Sequence, residues 1–159
     1  MDWALLHIVF VHFPVILTVT GALAVLLAVV HARRGSWLHG TVSLTLAAIA
    51  TIPAYLTGLP TARVLGQPWY VAPGMVGLHE AAAKVAALLV VLAGLIAVVA
   101  WRRLVRYPRE VRMPTSLRAA LVVTAVAAAM AVGYASLLGE RIVHLAPALH
   151  GAPPGPTAP

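Results

Sequence analysis

Residues 7–17 read HIVFVHFPVIL, and the apolar run to which they belong continues with few polar residues to Val30. A run of this kind predicts a helix that crosses a membrane, because about 20 apolar residues are needed to span a bilayer core of roughly 30 Å. Three further stretches satisfy the same condition. The four predicted spans cover residues 4–30, 40–59, 74–101 and 116–138.

The composition supports a membrane protein. Of the 159 residues, 62% are hydrophobic and 9% are charged, and the mean hydropathy is +0.96. These values exceed the apolar share of about one half that is typical of soluble domains. We therefore expect one all-α domain over residues 1–145, with a Pro-rich tail at 146–159 outside the membrane. The connections after the first and third spans are short. Consecutive helices are therefore expected to be antiparallel neighbours in an up-down bundle of four transmembrane helices.

The arginines predict the orientation of this bundle. Arg33 and Arg34 follow the first span, and five more arginines follow the third within residues 102–112. The positive-inside rule places both connections in the cytoplasm and both termini outside. Arg63 and Arg141 are then the only arginines on the outer side. The net charge of +7 comes mainly from these arginines. We interpret them as topology signals whose side chains contact anionic lipid, and not as a nucleic-acid site.

Absent residue types and motifs exclude several function classes. The chain has no cysteine, which rules out disulfides, iron–sulfur ligation, covalent c-type haem attachment and a blue-copper centre. The sequence also has no phosphate-binding loop, no GxSxG motif and no zinc-protease motif. Because the chain is small and has almost no mass outside the four spans, a subunit of a larger complex is expected more than a stand-alone enzyme.

Two histidines fall at similar depth in spans that run in the same direction. His12 lies roughly 12 Å from the outer end of the first span, and His79 lies ~8 Å from the outer end of the third. First and third helices stand diagonally in an up-down bundle, on the order of 13 Å apart, which leaves room for a macrocycle between two imidazoles. This arrangement predicts a b-type haem with His12 and His79 as axial ligands, and Thr57 near their level as a hydrogen-bond partner. The alternative is that each is a hydrogen-bonded structural histidine.

Other residues near the outer side admit several roles. His7 and His144 are expected near the outer rim, as ligands of a second haem, as donors to haem propionates, as a small metal site or as an ordinary interfacial pair. Arg63 and Arg141 are candidate counter-ions for the propionates. Met75 is an alternative axial ligand. Glu80 and Lys84 are spaced for a charge pair within the third span, which either neutralises both charges or forms a proton or quinone site.

Motifs in all four spans resemble a bacterial membrane family filed as domain of unknown function 2231. The matching stretches are HIVFVHFPVIL, TGLP after the second span, the histidine that opens the third, and LLGERIVH at the end of the fourth. The resemblance implies a four-helix bundle in an electron-transfer setting, since some members are joined to Rieske-type or cytochrome domains. The matching positions are His7, His12, Pro14, His79, Gly139, Glu140 and His144.

These observations together lead us to expect a multi-pass subunit of the bacterial cytoplasmic membrane that carries one haem b, or two. It would pass electrons between a periplasmic cytochrome or Rieske protein and a membrane partner or the quinone pool. Other membrane subunits are its expected partners. The alternative is a cofactor-free accessory subunit that scaffolds a respiratory or photosynthetic complex.

Overall fold

The computed structural model describes residues 3–65, 71–107 and 113–144, and the tail expected at 146–159 lies outside these ranges. All regular secondary structure in the described ranges is helical. The helices are α1 (Trp3–His31), α2 (Arg34–Leu65), α3 (Met75–Arg106) and α4 (Thr115–His144).

Each of these helices is long and apolar enough to cross a membrane, which indicates a multi-pass membrane protein. The predicted spans lie within these helices, apart from Gly74, which caps the start of α3 with a positive φ of 82°. The left-handed conformation suits glycine because it has no Cβ to clash with the backbone. The all-helical class and the four spans predicted from the sequence are thus confirmed.

The second helix is longer than the sequence predicts. We expected α2 to end near residue 59, but it continues through Pro60 to Leu65. The Thr57 and Thr61 hydroxyls donate hydrogen bonds of 2.8 Å to the carbonyls four residues earlier, at Pro53 and Thr57. In an apolar environment, such a hydroxyl gives a backbone carbonyl oxygen near a proline an additional hydrogen-bond donor. The stretch from Gly58 to Leu65 is therefore part of the helix and not of the connection.

The helices pack in a ring, with α1 on α2, α2 on α3, α3 on α4, and α4 on α1. The α1–α4 interface is the least extensive of the four. Because α1 and α3 share no extensive contact, they stand diagonally across the bundle, as do α2 and α4.

Glycines bring the helix backbones together. A Cβ added to Gly40 would lie 2.7 Å from Val25 Cγ2, and one added to Gly94 would lie 2.4 Å from Ala48 Cβ. Both separations are below the range of real contacts, so neither position has room for a methyl group. Small residues at helix contacts are the usual basis of association in lipid, where no hydrophobic effect drives the helices together.

Two ends of the bundle carry different chemistry. The arginine end comprises the end of α1, the start of α2, the end of α3 and the start of α4. Here Arg34 Nη2 donates a hydrogen bond of 2.7 Å to the carbonyl oxygen of Leu104, and so joins the start of α2 to the end of α3. A cation beside the last carbonyls of a helix is stabilised by the helix dipole. The opposite end, which begins α1 and α3, is called the histidine end below.

Candidate functional site

His7 projects from the first turns of α1 against α2. Its imidazole is half-buried, and its Nδ1 lies 3.0 Å from the carbonyl oxygen of Ala54. Since a carbonyl only accepts, Nδ1 must carry the proton and donate it, so in the neutral ring the lone pair is on Nε2. Gly58 lies beside the same ring: a Cβ at this position would be 3.0 Å from His7 Cε1. The ring is thus fixed by a hydrogen bond and by close contact with a glycine.

His79 has the same surroundings in the other half of the molecule. It lies near the start of α3 and is half-buried, and its Nδ1 donates a hydrogen bond of 3.0 Å to the carbonyl oxygen of Ala135 in α4. A Cβ added to Gly139 would be 3.0 Å from His79 Cε1. Nδ1 of His79 therefore carries a proton too, and in the neutral ring the lone pair is on Nε2.

A short repeat in α2 and α4 accounts for this likeness. Residues 54–58 read AYLTG and residues 135–139 read ASLLG, so both follow the pattern A-x-L-x-G. In each copy the alanine carbonyl accepts a hydrogen bond from the histidine Nδ1–H, and the glycine one turn later contacts the imidazole. Gly133, in the same helix, has no such contact, since nothing lies within 4 Å of an added Cβ at that position. The A-x-L-x-G repeat in the sequence indicates that Ala135 is the counterpart of Ala54.

The two imidazoles lie at the same end of the bundle. His7 stands on α1 and His79 on α3, at diagonal corners, and each ring is hydrogen-bonded to the helix that follows its own in the chain. In the neutral form, each ring carries its lone pair on Nε2. Such a pair can ligate a metal ion from two sides. Within the described ranges, no group of three or more His, Cys, Asp or Glu side chains is gathered that could hold a metal ion.

His12 does not share this environment. Its side chain is exposed, and its Nδ1 is hydrogen-bonded to the carbonyl oxygen of Ile8 in its own helix. His7 and His12 point about 140° apart around α1 at 100° per residue, so only one of them can face the interior. The histidine of α1 that is bonded to a neighbouring helix, as His79 is, is therefore His7. Thr57 lies 3.4 Å from His7 Nδ1 and is thus next to this histidine.

The remaining predicted site residues lie around the histidine end. Arg63 is exposed in the last turn of α2, and Arg141 is exposed near the end of α4. Met75 begins α3 and is partly exposed. His144 ends α4, but its side chain lies outside the described part of the structure, so its expected pairing with His7 stays a prediction.

The predicted charge pair within the third span is confirmed. Lys84 Nζ lies 2.7 Å from Glu80 Oε1, and both side chains are exposed on the outside of the bundle. Tyr55 of α2 is close enough to Lys84 for an electrostatic interaction. The pair therefore lies at the α2–α3 side of the molecule, next in sequence to His79 but outside the interior that holds the imidazole.

No family model, no curated protein and no solved structure matches the chain, so the family resemblance of its motifs stays a prediction.

Proposed function

We propose that this protein is a membrane-embedded b-type cytochrome subunit that holds haem b at the histidine end, with His7 and His79 as the axial ligands. One observation carries the proposal. Two half-buried imidazoles from diagonal helices lie at the histidine end, and the Nδ1–H of each donates a hydrogen bond of 3.0 Å to a backbone carbonyl.

The hydrogen bonds suit iron ligation. Metal-ligating histidines almost always donate their second ring N–H to a carbonyl or carboxylate, which fixes the tautomer and raises the basicity of the ligating nitrogen. Here the carbonyl oxygens of Ala54 and Ala135 provide that acceptor for both rings. A bound haem would supply one-electron transfer, and the chain itself orients the two imidazoles.

The glycines suit a flat ligand for a separate reason. Gly58 and Gly139 let α2 and α4 approach the imidazole edges, since a methyl group at either position would lie 3.0 Å from a ring carbon. Close backbone contact restricts the rotation of both rings. With their ring planes fixed, His7 and His79 would be the residues that hold the haem, and the haem would supply the redox chemistry.

The charge distribution supports an orientation and a partner. Eight of the ten arginines lie in residues 33–34 and 102–118, so the arginine end is proposed to face the cytoplasm of a bacterial cell and both termini the periplasm. Arg63 and Arg141, exposed at the other end, are proposed to bind haem propionates. A periplasmic cytochrome or Rieske protein would then approach the histidine end, other membrane subunits would pack on the sides, and a quinone would bind near Glu80.

A second candidate function rests on the same hydrogen bonds. His7 joins α1 to α2 and His79 joins α3 to α4, so the two histidines could be purely structural ties within a cofactor-free scaffolding subunit. Both functions predict that the histidines stabilise the bundle. Only the cytochrome predicts a pigment.

The deciding experiment is a reduced-minus-oxidised absorption spectrum of the purified protein. We expect haem b bands in the wild type and their loss in His7→Ala and His79→Ala. The matched control is His12→Ala, because His12 is an exposed histidine of α1 bonded only within its own helix. A folded wild-type protein expressed with haem supply and lacking these bands would support the scaffold. Full haem content in His79→Ala would remove this residue from the ligand pair.

A further inference from the structure

The arginine end contains a cavity that the proposed cytochrome function does not use. Its volume is about 450 Å³, which is within the ~300–1,000 Å³ common for ligand pockets. The cavity lies between the end of α1, the start of α2 and the start of α4. Its lining residues are Ala28, Val29, Ala32, Trp37, Met113, Thr115 and Arg118.

The lining is divided into a charged part and an apolar part. Arg118 and Thr115 supply a guanidinium and a hydroxyl from the first turn of α4, both of which are donors to a phosphate oxygen. Ala28, Val29 and Met113 supply apolar surface from the other sides. A cavity with these two parts suits an amphiphile that has an anionic head and an apolar chain.

The apolar part continues onto the outer surface of the molecule. Val29 lines the cavity and is also 41% exposed, and its neighbour Val30 is 76% exposed. The cavity also borders α1 and α4, whose interface is the least extensive in the ring. A chain attached to a head group in the cavity can therefore follow the surface of α1 into the surrounding lipid.

The charge around the cavity selects an anion. The stretches 31–42 and 101–118 contain eight arginines and one acidic residue, Glu110. Arg34 is already bonded to the carbonyl of Leu104, and Arg103 lies over the ring of Tyr107 at 5.5 Å. Among the residues that the structure describes, Arg118 is the arginine that lines the cavity. Anionic lipid is attracted to such clusters, and basic pockets between transmembrane helices bind phosphorylated head groups.

From these observations we infer that the cavity is a binding site for an anionic phospholipid, whose phosphate contacts Arg118 and Thr115 and whose acyl chain lies along Val29. The site is independent of the histidine end. It would hold together α1 and α4, whose own interface is the least extensive in the ring.

Trp37 provides a specific probe, because it lines the cavity and only 2% of its surface is exposed. The chain has four tryptophans, so replacing Trp3, Trp69 and Trp101 by phenylalanine leaves Trp37 as the only one. This protein is placed in phosphatidylcholine vesicles that contain a small, constant fraction of phosphatidylglycerol or phosphatidylcholine brominated near the carbonyl end of the chain. Bromine quenches indole fluorescence only at short range.

We expect brominated phosphatidylglycerol to quench Trp37 more than brominated phosphatidylcholine does. Arg118→Gln should lower the apparent affinity for phosphatidylglycerol about fivefold, the effect of one arginine near an anionic surface. Arg106→Gln is the matched control, since Arg106 is exposed at the same end but does not line the cavity. Arg118→Lys, which keeps the charge, should retain most of the preference.

Three results would overturn the inference. Equal quenching by the two brominated lipids in the Trp37 protein would show no anionic preference, and this comparison needs no folded Arg118 variant. Equal losses in Arg118→Gln and Arg106→Gln would assign the effect to the general surface charge. Removal of the preference by millimolar inorganic phosphate would identify a free anion as the occupant. The test does not depend on haem, so its outcome leaves the proposed cytochrome function separately testable.

Discussion

Gly139 lies against the imidazole of His79 so closely that an added Cβ would be 3.0 Å from Cε1. Gly58 has the same relation to His7 in the other half of the molecule. At both positions the neighbour would have to give way by a few tenths of an ångström, and the imidazole is also held by its bond to a carbonyl. Glycine at these positions therefore determines where each ring can lie.

Gly139→Ala should lower the haem content and shift the midpoint potential, because the added methyl group displaces the His79 ring. Overpacking of this kind typically costs about 1–3 kcal/mol. The control is Gly133→Ala in the same helix, where nothing lies within 4 Å of the added Cβ. The measurements are haem per protein and a redox titration. Identical values for the two variants would show that the glycine contact does not position the ring.

Gly94→Ala should destabilise the bundle without acting directly on the histidines. The added Cβ would lie 2.4 Å from Ala48 Cβ and 3.1 Å from the Leu44 carbonyl oxygen, so α2 and α3 must separate. We expect a loss of about 1–3 kcal/mol from overpacking. Thermal unfolding in detergent, followed by circular dichroism, measures the loss. Gly77→Ala in the same helix has open space around the new methyl group and should unfold like the wild type.

The Glu80–Lys84 pair should act as a unit. Its side chains lie 2.7 Å apart on the outer surface of α3, where a single unpaired charge would be exposed to lipid. Glu80→Gln or Lys84→Met alone should reduce the fraction of chains that insert, and the double variant should recover it. Glycosylation or protease mapping of inserted chains gives that fraction. A double variant that inserts no better than the worse single variant would argue that each residue has a separate role, such as contact with a quinone.

The proposed orientation can be tested with introduced thiols, since the chain has no cysteine of its own. Ala72→Cys places a thiol in the exposed connection before α3, and Gly35→Cys places one at the start of α2, where nothing lies within 4 Å of an added Cβ. In intact spheroplasts an impermeant maleimide should label the first variant at once. It should label the second only after the membrane is made permeable. The reverse pattern would invert the assignment of the two ends.

The sequence predicted the four apolar helices because these depend on length and composition. It did not identify the histidine of α1 that faces the interior. Lipid and protein core are both apolar, so α1 is hydrophobic on all sides and its pattern gives no inward direction. Only the packing of α1 on α2 distinguishes His7 from His12, through the carbonyl of Ala54. The depth estimate favoured His12, but depth does not specify rotation about the helix axis.

The end of α2 shows a related limit. Gly58 and Pro60 suggested that the helix stops, whereas it continues to Leu65. In water a glycine followed by a proline commonly ends a helix, but within an apolar bundle every backbone group that leaves the helix loses its partner. The free energy lost by backbone groups that leave the helix without a partner is larger than the free-energy penalty of the low helix propensity of Gly58 and Pro60. This is why Gly58 is available as a contact for His7 and is not part of a connection.

The A-x-L-x-G repeat means that each helical hairpin brings one imidazole, one acceptor carbonyl and one glycine. A single hairpin supplies only one of the two imidazoles. A nascent chain can therefore present both to a common ligand only after its second half has entered the membrane and docked on the first. Loading with a cofactor would thus report completed biogenesis, and two copies of one such hairpin would present the same pair of imidazoles on associating with each other.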